Sequence, residues 1–163
     1  MFKLLVTGGS GFIGKAVCAN LKKKNYKINI TSRRDDAINL SGMKVYNINE
    51  INKNTNWFEA LNAVSCVIHC AAKTHVMNNI KQKSLTSFRE VNVEGTLNLA
   101  KQAAKCGVKR FIFLSSVKVN GERTEKSSMF RCDDVPKPED SYGISKWEAE
   151  KGLWKISKQT GLE

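Results

Sequence analysis

Long apolar runs are missing from this sequence, and no stretch approaches the roughly twenty residues of a membrane-spanning helix, so no membrane partner is expected. Proline occurs only at Pro136 and Pro138, inside one polar stretch, and neither internal repeats nor low-complexity segments appear. One domain is therefore expected over residues 1–163. The five cysteines (Cys18, Cys66, Cys70, Cys106, Cys132) are irregularly spaced and odd in number, which fits a reducing compartment rather than a disulfide framework. No secretory pattern opens the chain, and a cytoplasmic location is expected. Histidine is scarce. Cys66, His69, Cys70 and His75 lie close together, yet Cys66 and Cys70 fall on a run that reads as a buried strand. No tetrahedral ligand set emerges, and no metal is expected.

Acidic residues are also few: 15 against 27 basic ones, a net charge of +12. Such a balance raises the question of nucleic acid. The lysines are dispersed, however, and the longest run, Lys22-Lys23-Lys24, ends a predicted helix, where cations suit the dipole. With no RNA-binding aromatic signature and no zinc-finger spacing, no nucleic-acid partner is expected.

What the sequence does contain begins at its first residues. Phe2–Val6 is a short apolar run without helical period, as expected of a strand buried on both faces. It leads through Gly8-Gly9-Ser10-Gly11-Phe12-Ile13-Gly14 into a helix over Ile13–Lys24. Strand, glycine turn and helix form the context of a dinucleotide fingerprint, here spaced Gly-x-x-Gly-x-x-Gly. Gly8 permits the tight turn, Gly11 lets backbone approach a pyrophosphate, and Gly14 lets the helix pack on its strand.

Further strands are predicted at Lys27–Thr31, Lys44–Ile48, Cys66–Ala72 and Arg110–Leu114. Helices are predicted at Trp57–Ala63, Ser84–Cys106 and Tyr142–Gln159. Asn25 and Gly107 stand where helices should stop. Strands alternating with helices predict an α/β, Rossmann-like, doubly wound parallel sheet of order 3-2-1-4-5. Ligands bind such sheets beyond the C-terminal strand ends. Gly8 to Gly14, Ser32-Arg33, Ala71-Ala72 and Ser115-Ser116 all fall there.

Tyr142 and Lys146 stand four apart on one helical face. A free phenol is a poor base at neutral pH, and a neighbouring ammonium favours its phenolate. Ser116, ending the RFIFLSS run, can orient both the phenol and a substrate oxygen. Tyrosine as acid/base, lysine as pKa modifier and ribose anchor, and serine as orienter suit hydride transfer. Trp147 and Trp154 read as packing residues.

TGGSGFIG (7–14), VIHCAA (67–72), the run from Val91 to Glu122 and YGISKWEAE (142–150) follow one another as in a known family. The chain resembles the extended short-chain dehydrogenase/reductases, in their NAD-dependent epimerase/dehydratase, UDP-glucose 4-epimerase-like branch. The resemblance implies Ser116, Tyr142 and Lys146 as a catalytic triad with Asn92 as supporting asparagine. It implies a cofactor site at Gly8, Gly11, Phe12, Ile13, Gly14, Ser32, Arg33, Glu50, Ala71, Ala72, Lys73 and Ser115, together with Tyr142 and Lys146. The implied partner is a nucleotide sugar, UDP-linked in that branch, and a homodimer is compatible with it.

The departures carry information. Family dehydratases follow the catalytic hydroxyl with Asp-Glu. Here Val117 and Lys118 follow it, which disfavours dehydration. NAD-specific members end their second strand with Asp. Ser32-Arg33-Arg34 occupies that place, and arginine suits a 2′-phosphate, so NAD or NADP is expected with NADP favoured. Glu50 aligns with an adenine-contacting Asp. Family chains also continue into a further strand and a substrate domain, and 1–163 reads as the dinucleotide-binding part without them. The readings that follow are a C4 epimerase, an NADPH-dependent 4-keto reductase, or a non-catalytic dinucleotide-binding module.

Overall fold

The computed structural model describes residues 2–33, 43–74, 84–124 and 128–163. Arg34 and His75 lie outside the described residues. Five strands, β1 (Lys3–Thr7), β2 (Lys27–Ser32), β3 (Lys44–Asn47), β4 (Cys66–His69) and β5 (Arg110–Phe113), form one sheet. Its order is β3-β2-β1-β4-β5, with every neighbouring pair parallel, as predicted. The registers Val6↔Ile30 and Val6↔Ile68 set the central three strands side by side.

Alternation along β1 explains the two layers of helix. Val6 turns to one face, where it meets Ile28, Ile30 and Cys18 of α1 (Phe12–Lys23). Leu5 turns to the other and joins Trp57, Leu61, Val67, Leu99, Ala103 and Ile156. Those residues draw in α2 (Phe58–Leu61), α4 (Thr96–Lys105) and α5 (Ser141–Thr160). β1 and β4 carry apolar side chains on both faces because both faces are covered.

The helix stops fall where the sequence placed them. Asn25 has φ +58° and Gly107 has φ +75°, the left-handed conformation that ends a helix. Two elements differ from expectation by more than two residues. β4 ends at His69 rather than Ala72, because its partners end there: His69 pairs with Thr7 on one side and Phe113 on the other. Beyond it the neighbouring chain has already turned at Gly8.

The predicted Ser84–Cys106 helix is three segments: α3 (Leu85–Arg89), a π-helical stretch Glu90–Gly95, and α4. Such widened turns interrupt α-helices mainly at functional sites, and a periodicity argument cannot detect them. At the far edge Glu163 donates to the Lys109 carbonyl (3.1 Å) and accepts from the Phe111 N–H (2.7 Å), the hydrogen-bond pattern of a parallel neighbour to β5.

Candidate functional site

The glycine turn crosses the C-terminal end of β1. Gly8 has φ +66°, and Gly11 donates its N–H to the Gly8 carbonyl at 2.9 Å, closing the turn. Gly14 is buried beneath it, and a Cβ there would collide with the Gly8 carbonyl oxygen. No side chain caps α1. Its first-turn N–H groups lack intrahelical partners, which makes that end a place for an anion. Phe12 and Ile13 are exposed at its rim.

The end of β4 is stitched to this turn. Ala71 N–H donates to Thr7 Oγ1 (3.2 Å), and a Cβ on Gly8 would lie 2.9 Å from the Ala71 backbone. The Thr7 hydroxyl also meets His69 Nδ1 at 2.6 Å, while His69 Nε2 meets Thr96 Oγ1 at 2.9 Å. With both ring nitrogens engaged and burial pushing its pKa down to about 3, His69 is a neutral structural strut.

Asn92 sits in the π-helical stretch and is buried. Its Oδ1 accepts from Lys73 N–H (2.8 Å), and its Nδ2 donates to the Lys73 carbonyl (3.0 Å) and to Ser145 Oγ (3.0 Å). One amide thus fixes the segment after β4 to α5. Ser145, whose hydroxyl also donates to the Tyr142 carbonyl (2.7 Å), was not singled out in the sequence; its place in the YGISK run was the available signal.

Ser116 caps a single 3₁₀ turn, Val117–Val119, its hydroxyl accepting from Lys118 N–H at 3.2 Å. This turn packs on the start of α5, with the Lys118 carbonyl against Gly143 and Lys118 Nζ on Asp140, so β5 and α5 do bring the predicted serine and tyrosine together. Tyr142 is partly buried, its ring edge-on to Phe88 (6.2 Å between centroids). Burial raises its pKa above the usual phenol value. The Ser116 hydroxyl opposes that rise, Asp140 adds to it, and Lys118 opposes it.

Lys146 lies one turn beyond Tyr142 along α5. It is buried, with Nζ 3.8 Å from the centre of the Phe113 ring. Desolvation brings its pKa down to about 8, with Glu150 and Cys70 resisting. The lysine whose charge opposes the rise at Tyr142 is Lys118, a residue the sequence marked only as a departure.

At the other end of the sheet, Ser32 ends β2, buried, with its carbonyl accepting from Ile48 N–H (2.9 Å). Arg33 follows it, exposed. Glu50 is exposed two residues beyond Ile48, its carboxylate 3.4 Å from Asn52 Nδ2. Ser115 and Ser116 border a cleft of about 510 Å³ with Asn120, Phe130, Arg131 and Glu150; the glycine turn and Tyr142 do not line it. Trp154 overturns its expected packing role: it is 69% exposed, because α5 turns that position past the edge of β5.

A parallel sheet with a glycine turn at its central strand end, an uncapped helix behind the turn and a strand-switch crevice between β1 and β4 defines a Rossmann-type dinucleotide-binding domain. The chain belongs to the NAD-dependent epimerase/dehydratase family, whose model matches residues 4–163. It is 43% identical over 160 residues to a UDP-glucose 4-epimerase of Vibrio cholerae, covering 98% of this chain and 48% of that protein. A UDP-glucose 4-epimerase of Thermotoga maritima, solved with UDP-glucose, superposes with a TM-score of 0.81 at 25% identity over 99% of this chain and 53% of its own. A short-chain dehydrogenase/reductase superfamily protein of Agrobacterium tumefaciens with bound NAD gives 0.80 at 26% identity, covering 99% and 47%. The chain thus spans about half the length of the relatives it matches.

Proposed function

We propose that this chain is the dinucleotide-binding half of a nucleotide-sugar 4-epimerase. The observation that carries the reading is the meeting of the Ser116 turn with the first turn of α5, where Tyr142 lies, beyond the same strand ends as the Gly8–Gly14 turn. The residues present fit a dinucleotide: the collision awaiting any Cβ at Gly14 marks a tight seat for the turn, and α1 offers an uncapped N-terminus to a pyrophosphate. Gly8, Gly11 and Gly14 would hold the pyrophosphate, with Phe12 and Ile13 at its rim. Ser32, Arg33 and Glu50 would face the adenosine half. Ala71, Ala72, Lys73, Ser115, Tyr142 and Lys146 would face the nicotinamide half. When bound, the nicotinamide supplies a reversible hydride acceptor.

The chain's own residues do the rest. Ser116 orients the sugar hydroxyl at C4. Tyr142 takes the hydroxyl proton as C4 is oxidised and returns it when the keto sugar, turned over, is reduced on its other face. Asn92 holds the segment after β4 in place and ties it to α5 through Ser145. Val117 and Lys118 offer no carboxylates for eliminating water, which supports epimerisation over dehydration.

Arg33 supports a second reading. A guanidinium at the end of β2 suits a 2′-phosphate, and an NADPH-dependent 4-keto sugar reductase would use the same tyrosine in one direction only. The test is calorimetric titration of the chain with NAD and with NADP, followed by an assay of UDP-glucose and UDP-galactose interconversion. The assay is run on this chain and on the longest chain its reading frame encodes. Tight NAD binding with interconversion by the longer chain is expected. Binding of neither dinucleotide would end both readings.

A further inference from the structure

The Ser116 turn and the start of α5 are joined by an ion cluster. Lys118 directs Nζ at Asp140 Oδ2 (2.7 Å) and at Glu122 Oε1 and Oε2 (2.8 and 3.1 Å). Asp140 has a second task, because its Oδ1 accepts from Gly143 N–H at 2.6 Å and caps α5. The backbones also meet: a Cβ on Gly143 would come 2.6 Å from the Lys118 carbonyl oxygen. Lys118 therefore reaches Ser116 through its N–H, Gly143 through its carbonyl and Asp140 through its ammonium. Ser116 and Tyr142 carry the hydroxyls on the two sides of this bracket.

We propose that Lys118 is a positioning residue for the Ser116–Tyr142 pair: its ammonium ties the serine turn to the cap of the tyrosine helix and adds to the charges that the phenol meets. The proposal rests on the reading of Tyr142 as the proton-exchanging group. The groups around Tyr142 come from three elements. Phe88 of α3 supplies an aromatic edge, Ser116 and Lys118 come from the 3₁₀ turn, and the α5 cap supplies Asp140. Lys146 lies one turn further along α5, its Nζ 3.8 Å from the centre of the Phe113 ring. Glu122 reaches the cluster only through Lys118.

The side chains of Lys118 and Asp140 are 33% and 24% exposed, so the ion pair adds little to stability. Its effect is on where the hydroxyls sit and on what charge the phenol meets. Removing the ammonium leaves the Asp140 charge uncompensated near Tyr142. Removing the Asp140 charge does the opposite, and asparagine keeps the helix cap.

The two variants therefore move Tyr142 in opposite senses, which a purely structural role would not do. The chain carries three tyrosines, Tyr26, Tyr46 and Tyr142. Tyrosine labelled with ¹³C at Cζ gives one resonance for each, and that of Tyr142 is identified by its loss in Tyr142→Phe. Titrated from neutral to alkaline pH, Lys118→Met raises the Tyr142 midpoint. At a fixed pH below the midpoint this cuts the phenolate fraction by up to about fivefold, the bound set by one charge at about 4 Å in a water-like medium. Asp140→Asn lowers the midpoint, and Lys118→Arg restores the wild-type value.

Midpoints that do not move, or that move in the same sense in Lys118→Met and Asp140→Asn, overturn the proposal. If Lys118→Met does not fold, Asp140→Asn decides alone, and an unchanged midpoint there overturns it. Sugar interconversion retained by Tyr142→Phe would overturn the underlying reading of Tyr142, a result the titration by itself cannot produce.

Discussion

A single methyl group added at Gly14 probes the dinucleotide seat. The Cβ of Gly14→Ala would strike the Gly8 carbonyl oxygen and lie 2.8 Å from the Gly8 carbonyl carbon and 2.9 Å from Gly9 Cα. All three are backbone atoms of a closed turn, so none can swing aside as a side-chain tip would. Relief requires α1 to move away from β1 or the turn to open, and overpacking of this kind costs about 1–3 kcal/mol. Because the moved atoms are those that would meet the pyrophosphate, the same distortion should weaken NAD binding by about ten- to hundredfold. Gly11→Ala makes a graded control, since its Cβ would meet only the Gly8 oxygen, at 3.2 Å, and a shift of a few tenths of an ångström relieves it. Lys22→Ala, at the far end of α1, should leave affinity unchanged. The assay is calorimetric titration of the three variants with NAD, with urea unfolding alongside. Equal dissociation constants for Gly14→Ala and Lys22→Ala would refute the assignment of this turn as the phosphate seat.

Other outcomes follow from charges at the strand ends. Arg33→Ala should shift the NADP/NAD affinity ratio toward NAD by about ten- to hundredfold, the loss of one charge-assisted contact; an unchanged ratio removes Arg33 from the cofactor site. Lys146 should show itself in the pH dependence of stability. Its pKa is about 8 folded against 10.5 as a free side chain, so between those values the unfolded chain binds more protons and stability rises with pH. Wild type should therefore gain on Lys146→Met between pH 8 and 10.5, by on the order of 3 kcal/mol at most. A urea-midpoint difference between the two that does not change with pH would contradict the buried ammonium.

Much of this architecture could be read before any coordinates. Apolar runs such as Leu4–Val6 and the Asn25 and Gly107 stops report local chemistry directly, so strand order and helix ends followed from pattern. Three features could not. β4 stops at His69 because its neighbours stop, and a sequence read strand by strand holds no record of its partners. The π-helical stretch that lets Asn92 reach both Lys73 and Ser145 has the same apolar period, over six residues, as an ordinary helix. The surroundings of Lys146 and Lys118 are a matter of burial. YxxxK spacing puts Lys146 on the face of Tyr142, but only packing shows its ammonium held against Phe113 while Lys118, distant in sequence, caps the cluster at Asp140.

The most direct test of the central claim is the interconversion of UDP-glucose and UDP-galactose by the longest chain of this reading frame, supplied with NAD, as wild type and as Tyr142→Phe. Phenylalanine keeps the ring against Phe88 and removes only the hydroxyl. The expected result is NAD-dependent interconversion by the wild type and a loss of about 10²- to 10⁴-fold in the variant, with NAD affinity retained. Interconversion at the wild-type rate by Tyr142→Phe, or none by a wild-type chain that binds NAD, would contradict it.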